Sequence, residues 1–209
     1  MPIALATVAA AALALGGAQA APAATFRAEI SPVRWADLRF SYREGCPVAP
    51  AALRTVVVSH WGFDGSPRTG RLVVSRRTAP AVVRVFRTLW EARFPIRRLR
   101  PVSAYRGSDD ASMAADNTSG FNCRFAQAAG PKRWSEHAYG RAIDVNPVEN
   151  PYVRGSTVSP GAGRAYLDRS PYRPGMAVAD GVLVRAFAAA GWRWGASFGD
   201  FQHFSTTGR

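Results

Sequence analysis

Ser135-Glu136-His137-Ala138-Tyr139-Gly140-Arg141-Ala142-Ile143-Asp144, followed late in the chain by Asp200-Phe201-Gln202-His203-Phe204, holds two of the three histidines in the sequence. Ala142, Asp144 and Asn146 alternate with Ile143 and Val145, which predicts a strand with one buried face and one face turned toward a site. Gly140 is the natural place for the backbone to turn so that His137 folds back toward Asp144. His137, Asp144 and His203 then form a two-imidazole, one-carboxylate set, which leaves a fourth tetrahedral position open on zinc. Asp200 is the spare carboxylate. It converges with His203 only if the backbone bends between them, because residues three apart on a regular strand face opposite sides; Gly199 permits that bend.

Structural zinc sites usually take four protein ligands and often thiolates. Here the only cysteines, Cys46 and Cys123, lie far from both motifs, so three nitrogen and oxygen ligands point to catalysis. Asp144 between two apolar residues is hard to explain blandly, since an unpaired carboxylate near a core is expensive. His60 lacks a nearby carboxylate in sequence and reads as a structural or surface residue. A Ser-His-Asp reading would use Ser119 or Ser135, but neither lies in a G-x-S-x-G elbow.

Outward from the motifs, the pattern is mixed α and β. Thr55–Ser59 and Leu72–Val74 read as short β-branched strands around a turn at residues 61–67. After Pro80, the apolar residues Val82, Val83, Phe86, Leu89 and Trp90 recur at helical spacing, and Pro95 ends the helix. Residues 95–103 read as a strand, 107–120 as a polar loop, and 151–175 as a long ordered loop whose tyrosines need somewhere to pack. A second helix is expected over 178–190, with Gly191 as its C-cap. The expected fold is α+β: a single compact domain in which a small antiparallel sheet carries the zinc site, with flanking helices.

The first residues address the chain. Positions 2–20 carry no charge, residues 3–15 are apolar, and Ala18-Gln19-Ala20 fits the small-x-small cleavage rule, so 1–20 reads as a signal peptide. Residues 21–54 then form an N-terminal arm and 55–209 the catalytic domain, with no transmembrane anchor after cleavage. Export permits a disulfide between Cys46 and Cys123. The formal net charge of +13 favours a polyanionic partner. All the basic residues but Lys132 are arginines scattered along the chain, without a dense basic block, so anionic wall polymers are favoured over nucleic acid.

Ser135-x-His137-x-x-Gly140-x-Ala142-x-Asp144 with Asp200-x-x-His203-Phe204 resembles the zinc peptidases of bacterial cell walls. These include VanY-like D-alanyl-D-alanine carboxypeptidases and the L-alanyl-D-glutamate peptidases of phage endolysins. Residues 117–124, 142–147 with 150–152, and 191–195 are most similar to the second branch, and the likeness spans roughly Val56 to Phe204. It implies that His137, Asp144 and His203 bind zinc, that Asp200 is the general base where many relatives hold glutamate, and that an upstream arginine holds substrate oxygen. Arg124 fits that last role, with Arg106 the second candidate. The implied substrate is the peptide stem of peptidoglycan, cut at the L-alanyl-D-glutamate bond; a D-alanyl-D-alanine carboxypeptidase and a wall-binding module without turnover are the alternatives. Sequence leaves the oligomeric state open.

Overall fold

Two three-stranded antiparallel sheets share one apolar core in a computed structural model that describes residues 24–127 and 130–209. The expected signal peptide, 1–20, lies outside the described residues. In the first sheet, β1 (Ala28–Pro32) pairs with β2 (Leu53–Trp61), which forms a hairpin with β3 (Pro67–Ser75). Alternation sets its two faces. Val56, Val58, Leu72 and Val74 enter the main core, while Leu53 and Val73 face a smaller cluster with Leu38, Phe121 and Cys123. Short helix α1 (Trp35–Leu38) lies on that second side, and the expected Cys46–Cys123 disulfide is formed there, Cα atoms 5.9 Å apart.

Helix α2 (Ala79–Glu91) starts with Pro80 in its first turn, where a missing N–H costs nothing. Its stripe of Val82, Val85, Phe86 and Leu89 is buried against the first sheet and against α4 (Val182–Ala189). Each such side chain contributes about 1.5–3 kcal/mol on burial. Helix α4 begins four residues later than expected, after Asp180 in the left-handed region, and Gly191 (φ +81°) follows its end as anticipated.

Between α2 and the first motif, β4 (Arg98–Leu99) and β5 (Asn117–Thr118) pair in parallel. The residues expected to form a loop over 107–120 include helix α3 (Asp109–Ala114). Ser108 caps it by accepting from the Ala111 N–H at 3.1 Å, and two aspartates sit in its first turn, favourable for the helix dipole. The polar composition read as loop is here a capped helix start.

The second sheet is β6 (Ala142–Asp144), β10 (His203–Ser205) and β9 (Arg193–Trp194), in the order β6-β10-β9. The stretch 151–175 contains the hairpin β7 (Tyr152–Arg154) and β8 (Thr157–Ser159) and a 3-10 turn over Gly161–Tyr166. Arg169 orders it, donating to the carbonyls of Glu149, Tyr166 and Ala177 and to Asn150 Oδ1 at 2.6–3.1 Å. Of the tyrosines expected to pack, Tyr152 and Tyr166 are half-buried, but Tyr172 stays exposed. Among the described residues no helix is long and apolar enough to cross a membrane.

Candidate active site

His137 stands in a 3-10 turn over Glu136–Tyr139 that Ser135 caps by accepting from the His137 N–H. Gly140 closes the turn with φ +65°, and its carbonyl accepts from the Ser75 N–H at 2.8 Å and the Thr78 hydroxyl at 3.3 Å. A Cβ at this glycine would lie 2.5 Å from Ser75 N, so the turn is seated directly on the end of β3. The chain then enters β6, where Asp144 pairs in register with His203 of β10. Asp144 is further held by exchanging both backbone hydrogen bonds with Ser119.

The three side chains meet in the interior. Asp144 Oδ2 lies 3.1 Å from His137 Nε2, Asp144 Oδ1 lies 3.0 Å from His203 Nδ1, and the two ring nitrogens are 3.2 Å apart. The outer ring nitrogens are both engaged by backbone oxygens: His137 Nδ1 with the Gly120 carbonyl at 2.7 Å and His203 Nε2 with Arg209 O at 2.8 Å. A backbone oxygen only accepts, so each outer nitrogen carries the ring proton and each inner nitrogen of a neutral imidazole presents a lone pair. Three acceptors therefore converge on one point, an arrangement that only a cation or a proton makes favourable. Ligand atoms 2.0–2.1 Å from a tetrahedral zinc lie about 3.3 Å from one another, close to the spacing seen. His137, Asp144 and His203 are also the one group of three or more His, Cys, Asp or Glu side chains found able to hold a metal among the described residues. The donor set fits a metal ion.

Electrostatics agree with that geometry. Burial pushes Asp144 up, but the facing imidazoles, when protonated, outweigh it through charge and hydrogen bonds and hold the carboxyl well below the usual range. Burial lowers His203, yet its bond to Asp144 and the charges of Asp144 and Asp200 raise it on balance.

Asp200 reaches the same cleft because the chain turns between it and His203, whose N–H donates to the Asp200 carbonyl at 3.3 Å. The condition set by the three-residue spacing is met. Gly199 makes the bend at φ +79°, and its carbonyl accepts from the Val153 N–H; a Cβ there would sit 2.4 Å from Val153 O. Burial, then the Asp144 carboxylate, pushes Asp200 up to about 7, against the pull of His203, His137 and Arg124. One of its oxygens, Oδ1, is buried without a hydrogen-bond partner.

Arg124 lines the cleft, its guanidinium 2.9 Å from Asp109 of α3 and its Nε buried and unpartnered. Arg106 does not line it: its guanidinium lies over the Phe40 ring, 5.2 Å from the centroid. Trp134, Tyr152 and Phe198 form apolar wall, and Gln202 lines the cleft with an unpartnered Oε1. Of these, Asp109, Trp134, Phe198 and Gln202 had not been singled out from sequence; only the Ser108-Asp109-Asp110 cap signal pointed toward α3.

Three expectations are corrected or sharpened. Asn146 does not face the site with Asp144. The strand stops at Asp144, and Asn146 (φ +43°) is fully buried, its side chain bonded to Arg97 N, Pro95 O and Gly175 O. His60 is buried with its Nδ1 3.3 Å from Trp61 O and takes no part in the cleft. The ring nitrogens of His137 and His203 are all engaged by backbone oxygens, by Asp144 or by each other, so neither ring hydrogen-bonds a serine hydroxyl.

Two histidines and an aspartate are caged at the base of a cleft with a further carboxylate beside them, a group that could hold a metal ion. Residues 129–206 match the family described as D-alanyl-D-alanine carboxypeptidase, a segment that contains His137, Asp144, Asp200 and His203 but not Arg124. The likeness supports a hydrolytic peptidase that acts on cell-wall peptides, in the broad family the motifs resemble. No curated protein and no solved structure matches the chain.

Proposed function

We propose that the protein is an exported zinc peptidase that hydrolyses the L-alanyl-D-glutamate bond of peptidoglycan stem peptides. The observation that carries the reading is the convergence of two proton-free imidazole nitrogens and the Asp144 carboxylate, each imidazole locked by a backbone oxygen on its far side. His137 Nε2, His203 Nδ1 and Asp144 would hold the zinc. When bound, such an ion acidifies water and polarises a carbonyl.

The chain's own groups do the rest. Asp200 takes a proton from the water that attacks the scissile carbonyl carbon and delivers it to the amine nitrogen as the C–N bond breaks. The unpartnered Oδ1 of Asp200 is free for that exchange. Arg124 offers its unpartnered Nε–H to a substrate oxygen, with Asp109 fixing the far end of the guanidinium. Trp134, Tyr152 and Phe198 flank the bound peptide and limit the water around it.

A cleaved leader over residues 1–20, an arm over 21–54 and a catalytic domain over 55–209 belong to the same proposal, as do secretion and affinity for anionic wall polymers. The Cys46–Cys123 disulfide and the net charge of +13 support them. The description of the matching family favours a second reading, cleavage of the terminal D-alanyl-D-alanine bond.

Digestion of purified peptidoglycan and defined stem peptides, with products identified by mass and new amino termini, separates the readings. New D-glutamate amino termini are expected. Release of free D-alanine alone selects the carboxypeptidase. Intact stems with retained polymer binding would leave only a binding module. Asp200→Ala should keep zinc and the fold but lose turnover by about 100- to 10,000-fold; near-normal turnover defeats the assigned role.

A further inference from the structure

We propose that the tail Thr206-Thr207-Gly208-Arg209 is a positioning element for His203: it dictates which ring nitrogen faces the cage and thereby sets the metal affinity of the site. The inference rests on the metal reading above and goes beyond it, because it concerns residues outside both motifs.

A neutral imidazole carries one proton on two nitrogens, and the free ring exchanges between the two forms. A ligand whose Nδ1 faces the cation must keep its proton on Nε2. In His203 that proton has one acceptor among the described residues, the backbone oxygen of Arg209 at 2.8 Å, which accepts whether it belongs to a carbonyl or to a carboxylate.

That oxygen is itself held in place. Ser205 Oγ accepts the N–H groups of Gly208 at 3.0 Å and Arg209 at 3.1 Å, and donates its own proton to Arg209 O at 3.0 Å. Ser205 is fully buried and stands two residues after His203 in β10, so both side chains leave the strand on one face. Gly208, at φ +76°, reverses the chain, and a Cβ there would meet Arg193 Cδ at 2.8 Å. Ser205 and the tail thus close a small clasp whose Arg209 oxygen points at His203.

The contrast with the other imidazole sharpens the point. His137 is fixed by Gly120 O, between β5 and Phe121, in a stretch pinned to β3 by the Phe121 N–H bond to Val73 O. His203 depends on four residues at the rim. Partners of this kind, which orient a metal-bound imidazole through its other nitrogen, are worth about 10- to 100-fold in metal affinity.

The test measures zinc affinity by competition with a chromophoric chelator, alongside melting of the zinc-free protein. It compares the full chain, Ser205→Ala, a chain stopped after Thr206, and the two changes combined. Each single change is expected to weaken zinc binding by about 10- to 100-fold. The combined protein should bind no more weakly than the shortened chain, because both changes remove the same acceptor. The zinc-free melting temperature of Ser205→Ala should change little. Ser205→Ala keeps every residue of the tail, so the comparison stands even if shortening costs the fold. Unchanged zinc affinity in Ser205→Ala and the shortened chain overturns the proposal, as do losses that add or that track the melting temperature. A full chain with no zinc affinity overturns the metal reading itself, a result distinct from equal affinities across the series.

Discussion

The two sheets of this molecule are built on opposite terms. In the first, β2 and β3 run nine residues each and pair along their whole length, with side chains buried on both faces. In the second, β6 and β10 have three residues each, and β9 two. Apolar burial and long ladders hold the first sheet. The second sends Ile143 and Phe204 into the same core and is held in addition by polar brackets: Asn146 and Asn150 on the Gly175 carbonyl, Arg169 across 149–177, and Ser205 on the tail. The difference teaches that the scaffold resists unfolding while the site resists misplacement, and the two properties should separate under mutation.

The largest effect is expected at the cage. Asp144→Ala leaves two imidazoles without their carboxylate, and should abolish both stoichiometric zinc binding and turnover, read by metal analysis and stem-peptide digestion. Full metal content in this variant would remove Asp144 from the ligand set.

On the scaffold side, Phe86→Ala empties a fully buried position of α2 and is expected to cost about 3–5 kcal/mol of stability by chemical denaturation. Zinc affinity of the folded fraction should stay at the wild-type value. A parallel loss of affinity would show that core and cage are not separable. Reduction of Cys46–Cys123 releases a long loop on the scaffold side and should cost about 3–4 kcal/mol, again with little change in turnover of the folded protein.

A test through pH sharpens the comparison further. Glu149 is buried within the brackets of the second sheet, facing Asp116, Arg97 and the Tyr166 hydroxyl. Burial, then the Asp116 carboxylate, pushes it up to about 8. Between the ordinary glutamate range and that value the folded chain holds a proton that the unfolded chain has released, so stability falls as pH rises through this window. Glu149→Gln should melt near the wild-type temperature at about pH 5 and above it at about pH 9. An unchanged difference between the two pH values would refute the assignment.

Much of the scaffold and the cage could be read before the structure was in hand. Helix α2 announced itself by spacing, and the cluster of His137, Asp144 and His203 by histidines and an aspartate set among glycines and apolar residues. What escaped depends on backbone groups brought from far away. Asn146 looks like the next site-facing residue after Asp144, and only the distant carbonyls of Pro95 and Gly175 make it a bracket. The carbonyl of Gly120, which fixes one imidazole, has no sequence signature at all, because every residue carries one, and the backbone oxygen of Arg209 reaches the other only through a fold of the tail that spacing does not show. Helix α3 escaped because serine and aspartate serve a turn and a helix start equally well.

Gly140 gives the arrangement a last consequence. The site turn is fastened to the end of β3 and the start of α2 at this residue, through a carbonyl that takes two donors and a Cα pressed against Ser75. It behaves as a rivet between two separately made parts. A methyl group added at position 140 would therefore pry the site turn away from β3 at this rivet, leaving His137 to be held by Gly120 and Asn122 alone on that side.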